Sequence, residues 1–230
     1  ATGGTSTFDG SLVGGETNVN SYLAAGVVTI TNLEAGAAAG YIGNGTMTSG
    51  ALNAGWAATV TSGTVSVTDV KAGGIITTSG TLLATNTITS TGSANTTGAL
   101  TLGAAVTTLN IDATTNLTTG AVTNTGAAAV TKLTVTGAGK VDIDAAALEA
   151  TVATIDASGN SGGFHVDMPT LVTATLTGGT GDDRITANSV LTTGSVDAGA
   201  GTDTLAINTA THVATAALGA KYTNFETLEV

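Results

Sequence analysis

The sequence predicts an all-β fold of the parallel β-helix or β-solenoid type, and three observations predict it. Thr and Val abound beside 33 Gly and a single Pro, a composition that favours strands and tight corners over helices. Hydrophobic residues make up 42% of the chain but aromatics only 3%. Ala, Val, Leu and Ile must therefore supply the burial, and they suit thin regular layers better than one bulky centre. Finally, apolar positions recur at a nearly fixed step, the signature of stacked repeats.

The step is clearest in the C-terminal half. Leu109, Leu133, Ile155, Leu176 and Val196 are separated by 24, 22, 21 and 20 residues, and eight or nine residues beyond them lie Leu117, Val141, Phe164, Ile185 and Leu205, all apolar. A looser third column follows at Val122, Ala146, Pro169, Val190 and Ala210. Columns kept over five repeats describe coils too thin to bury their own side chains, each depending on its neighbours. Within a coil, "KLTVTG" (132–137) and "KVDID" (140–144) alternate apolar and polar residues as half-buried strands do. Glycines and polar residues punctuate the strands at "GAGK", "ASGNSGG" and "GGTGDD". A β-sandwich with glycine turns is the alternative, but it would share the alternation without the fixed period.

The coil reading covers residues 106–230. Residues 1–105 are expected to form a β-rich N-terminal part made of irregular coils or a cap. There Val67, Ile88 and Leu109 extend a 21-residue step, whereas "LEAGAAAGYIGNG" (33–45) breaks it, and the part carries Tyr22, Tyr41 and Trp56.

Composition also excludes function classes. Only 9% of residues are charged, but 16 are acidic and 5 basic, giving a net charge of −11. Five scattered cations cannot make the basic patch that a nucleic-acid partner requires. Cysteine is absent, which removes disulfides, thiolate metal sites and thiol nucleophiles together. No run of 18 apolar residues occurs, so no membrane span is expected, and the first residues have neither the basic start nor the apolar core of a signal peptide. Catalysis finds little support. The two histidines, His165 and His212, belong to no zinc-protease helix motif, and no serine sits in a nucleophile elbow. Asp142 and Asp144 share an outward strand face but lack the aromatic platforms of a sugar-cleaving cleft.

The acids concentrate where the chemistry is expected. Asp142 to Glu229 holds eleven of them, against four in residues 1–100. The stretch Gly178-Gly179-Thr180-Gly181-Asp182-Asp183-Arg184-Ile185-Thr186 fits the nonapeptide G-G-x-G-x-D-x-U-x, where U is a large apolar residue. Twenty residues on, Ala198-Gly199-Ala200-Gly201-Thr202-Asp203-Thr204-Leu205-Ala206 repeats it with Ala198 in place of the first Gly. Glycines fold such turns tightly and aim carbonyls at a common point, while the Asp adds a hard anionic oxygen. The expected site is therefore a Ca²⁺ ion between adjacent coils, held by Gly178, Thr180, Asp183, Gly199, Gly201 and Asp203. Asp182 and Asp197 are expected to face solvent, and "DASGNSGG" (156–163) reads as a degenerate copy with Gly162 at the acid position. The plainer alternative is a pair of ordinary turns whose carboxylates cap backbone N–H groups.

These two nonamers, the Thr/Ala/Val-rich coils before them and "YTNFETLEV" (222–230) resemble the RTX (repeats-in-toxin) proteins. More closely, they resemble the surface-layer proteins of Gram-negative bacteria such as Caulobacter and Campylobacter. The resemblance is specific over the C-terminal third and compositional elsewhere. It implies a calcium-dependent solenoid exported by type I secretion, which self-associates into an S-layer lattice on the outer cell surface and has cell-surface polysaccharide as a further partner. A secreted RTX adhesin or glycan-binding module is the alternative.

Overall fold

A computed structural model of the chain describes strands from Gly4–Asp9 to Thr227–Glu229, and the surroundings of residues 84–124, 129–143 and 148–230. It is a parallel β-solenoid. The longest of its three sheets stacks eleven strands, from Gly4–Asp9 through Thr85–Thr91, Thr108–Ala113, Lys132–Gly137, Thr154–Asn160, Thr175–Thr177 and Ser195–Asp197 to Tyr222–Thr223. A second sheet of seven runs from Asn95–Thr96 to Thr227–Glu229, and a third of six from Asn18–Ser21 to Val122–Asn124. Neighbouring strands are one coil apart in sequence and run parallel, which a chain winding always in one sense produces.

The first apolar column is reproduced residue for residue. Leu109 pairs with Leu133, Leu133 with Ile155, Ile155 with Leu176 and Leu176 with Val196. All five are at most 2% exposed. Burying each side chain of this size contributes about 1.5–3 kcal/mol, and because the column is continuous every member is sealed by the coil on either side. Outward residues such as Thr134 and Thr136 stay half-buried, so the alternation of "KLTVTG" is the pleat of a strand with one dry face. Beyond the third sheet, the same side is closed by turns carrying Leu148, Val152, Met168 and Leu191, all buried.

Two alignments differ from the expected ones. The 21-residue step through Val67, Ile88 and Leu109 is displaced by two positions, since Val65 pairs with Ile88 and Ile88 with Ile111, whereas Leu109 faces Asn86. A two-residue shift preserves the inward face, so apolar spacing alone cannot detect it. The second column slips in the same way. Leu117, Val141 and Phe164 are aligned, but Ile185 pairs with Val166, and Leu205 and then Leu228 follow Ile185. The cause is a shorter corner: nine residues separate Asp156 from His165, but only seven separate their partners Thr177 and Arg184. Asp144 and Ala146, like Tyr22 and Trp56, lie outside the described residues.

Candidate metal-binding corner

The slip determines what the acids do. With Val166 opposite Ile185, the residue one coil beyond Phe164 in the same slot is Asp183, followed by Asp203 and Glu226. Carboxylates thus continue an inward column that Leu117, Val141 and Phe164 begin. Asp183 is 2% exposed and Asp203 0%.

Each carboxylate is held by main chain from the preceding coil. The Phe164 N–H donates to Asp183 Oδ1 at 2.7 Å, the Asp183 N–H to Asp203 Oδ1 at 2.7 Å, and the Asp203 N–H to Glu226 Oε2 at 2.7 Å. Asp183 Oδ2 also accepts from the Gly179 N–H of its own turn, at 3.0 Å. This is a ladder of charge-assisted bonds in which the Phe164, Asp183 and Asp203 amides each find a carboxylate on the next coil. The capping alternative therefore describes part of what Asp183 does. Asp203 differs, because its Oδ2 is buried and has no hydrogen-bond partner.

Electrostatics follow the burial. Desolvation pushes the Asp183 carboxyl up to about 6, against the pull of the Gly179 and Phe164 N–H bonds, and the charges of Asp203 and Asp182 add to the rise. Asp203 is also raised, first by burial and then by Glu226 and Asp182, with the Asp183 N–H opposing.

The glycines make the stacking possible. A Cβ on Gly178 would overlap the Ala198 carbonyl and lie 2.5 Å from Asp183 Oδ2. Gly201 adopts φ +150°, close above the Gly181 carbonyl. Gly199 lies over Gly179, whose carbonyl accepts from Ala200 N–H at 2.9 Å. Thr180 belongs to the same turn but is exposed, and its N–H is tied backward to the Asn160 carbonyl at 3.0 Å. The six residues singled out from the sequence thus lie on two successive coils at one corner. Asp182 is exposed and caps the Thr202 N–H at 2.8 Å, while Asp197 is half-buried and accepts from Gly199 N–H and Asn224 Nδ2.

The donor set is entirely oxygen, which suits a hard divalent cation in kind. The unpartnered, fully buried Asp203 Oδ2 is the atom that best fits one, since a carboxylate oxygen without a donor is costly to bury. Among the described residues no three Asp, Glu or His side chains gather at one point. A cation here would take two carboxylates at a time and fill its shell with main-chain carbonyls and water.

Glu226 falls outside the nonapeptide pattern because its corner is shorter. Five residues, 198–202, link Asp197 to Asp203, but only Asn224 and Phe225 link their partners Thr223 and Glu226. The signal was present in the local triplets: Asp203-Thr204-Leu205 and Glu226-Thr227-Leu228 align acid with acid and apolar with apolar. Compared with family models, curated proteins and solved structures, the chain matches none.

Proposed function

We propose that this chain is a structural segment of a secreted bacterial surface-layer protein, whose solenoid coils are ordered by Ca²⁺ and which self-associates on the cell surface. The observation that carries the reading is the pair of buried carboxylates, Asp183 and Asp203, stacked on successive coils with one oxygen left without a donor. A non-catalytic role accords with this arrangement, because these acids are committed to the main chain and do not face an open cleft. At free Ca²⁺ about tenfold above Kd one site adds roughly 1.4 kcal/mol of stability. Extracellular modules bind at about 0.1–1 mM, so such a site fills outside a cell and is nearly empty inside one.

The test is circular dichroism and light scattering of the chain in millimolar Ca²⁺ and again in excess EGTA. Calcium should raise the thermal midpoint and promote large assemblies, and EGTA should reverse both. Identical melting and scattering in the two buffers would rule the reading out.

A further inference from the structure

We infer that the Asp203–Glu226 step is a divalent-cation position of its own, with Glu226 as a ligand; this rests on the calcium reading above. Asp203 brings a fully buried carboxylate whose Oδ1 is taken by the Asp183 N–H and whose Oδ2 has no donor. Glu226 occupies the next slot of the same column, and its Oε2 takes the Asp203 N–H. The longer Glu side chain compensates for a corner three residues shorter than the one beneath it. Strands of a sheet lie about 4.8 Å apart, roughly twice a Ca²⁺–oxygen bond of about 2.4 Å, so carboxylates on successive coils are spaced for one shared ion.

Charge and access point the same way. The Glu226 and Asp182 carboxylates both act on Asp203 through their charge, so negative charge gathers at this step. The nearby cationic side chains are directed elsewhere: Arg184 pairs with Glu229 at 3.0 Å, and Lys221 Nζ reaches the Gly194 carbonyl at 3.5 Å. Glu226 is exposed whereas Asp203 is sealed, which gives an ion an entry path from solvent through the glutamate.

Calorimetric titration of the 230-residue chain with CaCl₂ tests this. Glu226→Gln keeps an acceptor for the Asp203 N–H but loses the charge. It should retain the metal-free circular dichroism spectrum and bind one ion fewer than the parent. Glu226→Asp keeps the charge but shortens the reach, and should weaken that ion about tenfold; it serves as the variant of record if the Gln form does not fold. Asp183→Asn should retain the ion, since the Asp183 main-chain N–H still holds Asp203. Unchanged stoichiometry and affinity in both Glu226 variants would overturn this inference and leave the calcium reading standing. No heat from the parent chain at 10 mM CaCl₂ would overturn both.

Discussion

Asp183 and Asp203 fill the same slot one coil apart, yet their oxygens are used differently, and this separates their substitutions. Asp183 offers both oxygens to N–H donors, so Asp183→Asn turns an NH₂ toward Phe164 or Gly179 and should cost the metal-free chain about 1–3 kcal/mol. In Asp203→Asn the amide oxygen can keep the Asp183 N–H while the NH₂ replaces the oxygen that had no donor. Metal-free melting should then be unchanged or raised, while the calcium-induced gain in melting temperature is lost in Asp203→Asn and only reduced in Asp183→Asn, which keeps the Asp203–Glu226 ion. Protons act on the same group. Because the folded chain holds the Asp183 proton at about 6, and an ordinary Asp carboxyl titrates near 3.8, this residue favours folding below about pH 4. That contribution fades as pH rises through 6. Metal-free chain at low salt should therefore melt lower at pH 7 than at pH 5. Asp183→Asn should flatten this profile, and denaturation curves at the two pH values measure it.

At the scale of strands and corners, the glycines decide how closely coils can approach. Gly178→Ala places a methyl against the Ala198 carbonyl and Asp183 Oδ2, neither of which can move without breaking the ladder. It should cost about 2–4 kcal/mol, read as a lowered denaturant midpoint with an unchanged slope. Ala198 stands at the equivalent place in the second repeat, and the corner that follows it has only Asn224 and Phe225 between the paired strands. The same corners explain how much could be read from the sequence. The first apolar column and the alternation of "KLTVTG" were legible because burial on one face imposes a period of two along the strand and one coil between strands. The place of Asp183 opposite Phe164 was not, because a corner that loses two residues moves the register while Ile185 still meets an apolar inward partner, Val166. Glu226 was hidden by the same kind of shortening, although its triplet with Thr227 and Leu228 repeats that of Asp203.

Over the whole molecule, one sheet runs unbroken from Gly4–Asp9 to Tyr222–Thr223, so the irregular spacing of the N-terminal half does not interrupt the stacking of its strands. Few aromatics suffice for the described coils, whose centres are thin: among the described residues Phe164 is the largest fully buried side chain. The acid ladder adds a polarity that the sheets lack. Sheet bonds tie a coil to both neighbours, whereas the Phe164, Asp183 and Asp203 amides each depend on a carboxylate supplied from the C-terminal side. Losing the Glu226 carboxylate therefore strips an acceptor from the Asp203 amide and is passed by way of Asp203 toward Asp183, whereas the Phe164 amide is the donor that starts the series. The corner behaves as a row of leaning dominoes, with the final glutamate as its backstop.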